Sequence, residues 1–137
     1  MMRKLDNRGA SSFELILVFV PLFTLIFAIF DLGRYTITMQ SLRTLAGAGA
    51  RAVMITCYTP DVIQNQSPAG CTGDPMSTTA KQNAAPFLYR GGLTPTLTVA
   101  SSGNNLTVTA SQTGFAMLMP IWGTALNAPS ASTTIPF

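Results

Sequence analysis

The chain has 137 residues, about one small domain, and only 9% of them are Asp, Glu, Lys or Arg, where a soluble domain carries about 25%. With a mean hydropathy of +0.36, too little charge is left to clothe an ordinary cytosolic globule. Of the net charge of +3, +2 gathers at one end, where Arg3, Lys4 and Arg8 face only Asp6, which argues against a basic nucleic-acid-binding face, and the lack of His removes imidazole as base, ligand or pH switch.

Residues 1–9 read as a polar, basic leader. Residues 15–30, LILVFVPLFTLIFAIF, carry no charge. Counted back to Ala10, the run contains a single acid, Glu14, and is long enough to cross about 30 Å of hydrocarbon as a helix. This places a membrane span at about 11–31. Pro21 inside it should kink the helix or free one carbonyl. Basic residues before the span predict a cytoplasmic N-terminus and an exported remainder. A cleaved secretory signal is the alternative, but the run exceeds an ordinary signal core and DLGRY follows Phe30 in place of a small-residue cleavage site.

Past Phe30 the pattern stays helical. Leu32, Tyr35, Met39, Leu42, Ala46, Gly49 and Val53 fall on one narrow apolar stripe, and Asp31 and Arg34 stand at i,i+3, where they can pair. Within the segment 10–56 one helix is predicted from about residue 11 to 56, ending before Tyr58-Thr59-Pro60 and about 68 Å long. Ala46-Gly-Ala-Gly-Ala50 either admits a close helix neighbour or is a thin stretch lying over a sheet.

Residues 57–95 carry Pro60, Pro68, Pro75, Pro86 and Pro95 and read as loop, with a short helix in 78–88. In an exported domain Cys57 and Cys71 are expected to be joined, which stabilises a loop of this size by about 3 kcal/mol. Without His or a third Cys they cannot complete a structural zinc site. Asp61 and Asp74 are expected to be solvated rather than to hold Ca²⁺. Asn65-Gln-Ser67 and Asn105-Leu-Thr107 are glycosylation sequons in form only.

Residues 96–137 read as a small β-sheet region. Residues 96–100 and 106–110 alternate apolar and polar around a five-residue turn, Ser101-Ser-Gly-Asn-Asn, with Leu97, Val99, Leu106 and Val108 facing inward. Phe115-Ala-Met-Leu-Met-Pro-Ile-Trp122 is expected to fill core, and 132–137 to add an edge strand blunted by Pro136. The fold class is α+β: a long N-terminal helix, first in the membrane and then outside it, packed on a small antiparallel sheet.

A carboxylate within an apolar helix costs about 3 kcal/mol to insert, so Glu14 needs a partner. Gly9, without a side chain, suits presentation of an extended backbone to a protease. A cut between Gly9 and Ala10 would create a cationic α-amine within about one helical turn of Glu14, which could pair with its own amine or with that of an adjacent subunit.

Gly9, Glu14 and the apolar helix resemble the class III signal of type IV pilins and pseudopilins. Glu14 to Pro21, then Phe30-Asp31-Leu-Gly33-Arg34, then Gly49-Ala-Arg51 resemble the TadE-like minor pseudopilins of tight-adherence (Flp) pili. The resemblance covers about 8–54 and implies a pilin-like fold and cleavage after Gly9 by a prepilin peptidase. It further implies neutralisation of a neighbour's amine by Glu14, and a life in the inner membrane or a surface pilus. Prepilin peptidase, other pilins and pseudopilins, the inner-membrane pilus platform and the lipid bilayer are the implied partners, with no nucleic acid, metal or cofactor. The head is longer than in major Flp pilins, favouring a minor subunit that supports pilus biogenesis and adhesion. Alternatives are a secretion-system pseudopilin and an unprocessed, signal-anchored periplasmic binding protein. No nucleophile–base pair or metal cluster suggests an enzyme.

Overall fold

The structure, a computed structural model, describes residues 8–137, with side chains from residue 12 onward; most of the proposed leader, residues 1–7, lies outside the described residues. Helix α1 runs Arg8–Val53, 46 residues, about 69 Å at 1.5 Å per residue. It passes through Pro21 without a break. Hydroxyls in this rod turn back on its own carbonyls: Thr24 Oγ1 donates to Val20 O at 2.8 Å and Thr38 Oγ1 to Arg34 O at 2.8 Å, the usual way a helix with few polar neighbours satisfies Thr.

The rod divides into two halves. From Ser12 to Phe30 its side chains are exposed or half-buried, with Phe13 at 67% and Phe30 at 69%. From Asp31 to Val53 one face is covered by the head. Of the expected stripe, Leu42, Ala46, Gly49 and Val53 are buried and Tyr35 and Met39 half-buried, but Leu32 is exposed. Asp31, Thr38, Leu45 and Ala50 complete the buried face instead.

The helix does not stop before Pro60. It widens into a π-helical turn, Met54–Tyr58, and resumes as α2, Thr59–Ile63. The expected end at 56 is therefore corrected. A proline blocks a continuing α-helix through its missing N–H and its clash with the carbonyl four residues back. Here the wider turn precedes it, and Pro60 falls in the opening turn of α2, where its missing donor costs nothing.

Residues 57–95 are more structured than expected. Ser67 opens a 3-10 turn, Pro68–Gly70. Ser77 caps α3, Thr78–Ala84, by accepting from Ala80 N at 3.3 Å. Pro86 stops α3 short of the expected Leu88, and a kinked 3-10 segment, Pro86–Gly92, follows. Lys81, 8% exposed, pairs with Asp74. That acid has an internal partner rather than being merely solvated.

Three antiparallel strands form the sheet in the order β1-β2-β3: β1 Thr96–Ser102, β2 Asn105–Ser111 and β3 Ser130–Pro136. The hairpin is tighter than expected. Ser102 pairs with Asn105, leaving Gly103 and Asn104 as a two-residue turn. Gly103 supplies the positive φ of +59° that a primed hairpin turn requires at its first central position. The inward face is the expected one, with Leu97 and Val99 on β1 and Leu106 and Val108 on β2. Ala110 and Ile135 extend it. The helix lies chiefly across β2 and β3. The edge strand starts at Ser130, two residues earlier than read from sequence. Gly73 pairs with Val99 through N–H···O bonds of 3.1 and 2.8 Å, covering part of the outer edge of β1.

Candidate functional site

The proposed processing end and the head lie at opposite parts of the rod. Gly9 and Ala10 sit in the first turn of α1, so the proposed cleavage position is helical here and would have to open to present an extended backbone to a protease. Glu14 is exposed on the uncovered half, and no ion pair joins it to another described residue. The first turns of a helix leave their N–H groups without intrahelical acceptors, so opening this end costs little.

The densest polar cluster is at Asp31, where the apolar run ends. Asp31 is 1% exposed. Leu118 N donates to its two carboxylate oxygens at 3.1 and 3.0 Å, and Met119 N donates to Oδ2 at 3.0 Å. Arg34 Nη1 approaches Oδ1 at 3.5 Å, forming the pair expected from the i,i+3 spacing. The Trp122 indole also lies near this carboxylate, although its buried Nε1 lacks a partner of good hydrogen-bond geometry. The guanidinium of Arg34 stands 5.3 Å from the centre of the Phe115 ring, and Tyr35 packs on the same ring at 6.3 Å. A single helical turn therefore holds residues 115–119, the carboxylate by their backbone and Arg34 and Tyr35 by an aromatic side chain. Charge-assisted bonds of this kind are about twice as strong as neutral ones.

This changes the role expected for the 115–122 segment. Phe115 is core, at 5% exposed, but Leu118 is 76% and Ile121 58% exposed. The segment bends through a 3-10 turn, Pro120–Trp122, and turns its apolar tip outward instead of filling core. Behind it a cavity of about 200 Å³ is lined by Arg34, Thr38, Leu88, Gln112 and Phe115 among others. Gln112 Nε2 donates to Leu88 O at 3.1 Å, leaving its Oε1 buried without a partner.

The remaining motif positions separate by environment. A Cβ at Gly49 would meet Leu97 Cδ2 at 2.9 Å and Val108 Cγ1 at 3.1 Å, whereas one at Gly47 or Gly33 would meet nothing within 4 Å. The small-residue stretch thus lies over the sheet, with Gly49 as the contact. Arg51 is exposed. Cys57 and Cys71 are bonded, with Cα atoms 5.8 Å apart. Asp61 Oδ2 lies 3.6 and 3.5 Å from their sulfurs. Disulfide sulfurs have no proton to donate and no thiolate to offer, so Cys57, Asp61 and Cys71 are neither hydrogen-bonded nor a metal ligand set, despite lying within 4.8 Å of one another.

Sequence reasoning missed the Asp31–Leu118 and Asp31–Met119 contacts, which join residues 87 and 88 positions apart. The available signal was an acid placed at the end of a long apolar run.

Comparison with known proteins adds one match. A search among curated proteins and another among solved structures returned none. Residues 9–51, which hold every motif position from Gly9 to Arg51, match the family model of TadE-like proteins, and over that segment the chain is similar to them.

Proposed function

We propose that this chain is a minor pseudopilin of a tight-adherence-type pilus, a structural and assembly subunit rather than an enzyme. Its α1 half anchors it in the inner membrane in a single pass, with the N-terminus cytoplasmic and the head periplasmic. A prepilin peptidase removes the leader after Gly9, and Glu14 then meets the new α-amine of a neighbouring subunit as the rod joins other pilins on the membrane platform. The observation that carries this is the division of one continuous rod: an uncovered apolar half bearing a single acid near its start, and a half sheathed by a small head from Asp31 onward. An exposed apolar helix of this length is unsuited to water and suited to lipid or to a bundle of like helices.

Mass spectrometry of the membrane-extracted protein tests it. The mature chain should begin at Ala10, and Gly9→Arg should leave the full-length form. Glu14→Ala should be processed normally yet give few filaments. An intact leader on the wild-type protein refutes the pilin assignment, and wild-type filament number in Glu14→Ala refutes the charge pairing.

A further inference from the structure

The tip of the 115–122 segment lies beside the last apolar turns of α1. Phe27 and Phe30, 56% and 69% exposed, line one groove of about 300 Å³ together with Asp31, Leu118, Met119 and Pro120. The exposed Leu118 and Ile121 therefore continue the apolar surface of the rod onto the head. From Gly91 to Phe137 the sequence contains no charged side chain; the ionised groups beside the tip are Asp31, already buried, and its partner Arg34.

Four of the five backbone N–H groups of residues 117–122 are engaged as well. Leu118 and Met119 give their N–H groups to Asp31, and Met117 N donates to Asn127 Oδ1 at 2.9 Å. Trp122 N and Gly123 N donate to Met119 O and Pro120 O at 3.4 and 3.1 Å, and Pro120 has no N–H to satisfy. Irregular backbone can touch hydrocarbon only when its donors and acceptors are met within the protein, so the segment, with Ile121 N–H left to headgroups and water, suits the boundary and not the hydrocarbon centre. Trp122, half-buried with its Nε1 turned inward toward Asp31, puts an indole ring beside this boundary and so reports on it.

We propose that residues 117–122 dip into the outer boundary of the bilayer beside α1, a second lipid contact that fixes the depth of the rod and lays the head on the membrane surface. This rests on reading 12–30 as the span. The occupant is the boundary between headgroups and acyl chains, because the tip is apolar, uncharged and continuous with the lipid-facing helix. Phe27 to Phe30 spans about 4.5 Å of helix, just short of the about 5–10 Å to which interfacial apolar faces sink.

Trp122 is the one tryptophan of the chain and reports its own surroundings. The full-length protein is reconstituted in phosphatidylcholine vesicles whose acyl chains carry bromine either high or low. Bromine placed high should roughly halve Trp122 emission, as expected of a ring at the boundary, while aqueous acrylamide quenches weakly. Leu118→Asp with Ile121→Asp should reverse both results. A second protein, Trp122→Phe with Phe23→Trp, reports the span and should respond to bromine placed low. If Phe23→Trp is quenched and Trp122 is not, the span stands and the loop contact is overturned. If neither is quenched, the span reading itself fails and the loop contact falls with it. Shielding of Trp122 that disappears on diluting protein in lipid marks a second copy of the chain as its cover and also overturns the proposal.

Discussion

Replacing Asp31 by Ala removes the acceptor for two backbone donors without disturbing the sheet. A hydrogen bond to a charged group is worth about 1.5–3 kcal/mol; the lower value suits donors at a partly exposed site and gives about 3 kcal/mol for Leu118 N and Met119 N together. The Arg34 contact adds little, because at 3.5 Å and with the Arg34 side chain 43% exposed it resembles a surface pair worth under about 1 kcal/mol. Amide exchange by mass spectrometry on the full-length protein in detergent reads the loss locally. In Asp31→Ala the peptide covering 115–123 should exchange about 100-fold faster, while peptides from β1 and β2 keep their protection. Asp31→Asn retains one carbonyl oxygen and should fall between the two, about tenfold faster than wild type. Unchanged exchange over 115–123 in Asp31→Ala would refute the claim that this carboxylate holds the segment.

Two further tests concern the rod and its tether. Gly49→Val should lower stability by about 2–3 kcal/mol, since the added atoms collide with Leu97 and Val108 in the core; Gly47→Ala, which meets open space, should instead raise it by up to about 1 kcal/mol through helix propensity. Thermal melts followed by circular dichroism in detergent compare them, and equal shifts of the same sign would contradict the packing described. Paired Cys57→Ser and Cys71→Ser should cost about 3 kcal/mol and make 58–70 sensitive to limited proteolysis, with resistance equal to wild type as the contrary result.

The rod and the hairpin face were legible because each is written in a local period. Leu97, Val99, Leu106 and Val108 alternate strictly and are all buried, and the apolar run up to Phe30 declares itself by length. Errors arose where a local rule met a longer-range force. Pro60 signals a stop, yet the π-helical turn ahead of it lets the helix resume. Leu118 and Ile121 carry a core signature and lie outside; whether an apolar side chain faces a core or a lipid surface depends on what surrounds the folded chain, which periodicity does not encode. Asp31 was recognisable as a partner for Arg34 through their spacing. Its contacts with Leu118 and Met119 require the head to fold back along the rod, and no local pattern announces that. Gly33 and Arg51 belong to the recognised motif, but no close contact among the described residues explains them.

The bond between Cys57 and Cys71 also decides how the molecule bears load. Cys57 belongs to the π-helical turn at the far end of the rod, and Cys71 lies buried beside the sheet. Tension applied between anchor and head crosses this covalent link directly, so the stretch between the two sulfurs stays slack. Reduction would place that stretch in series with the pull and let the head drift from its shaft before any strand came apart.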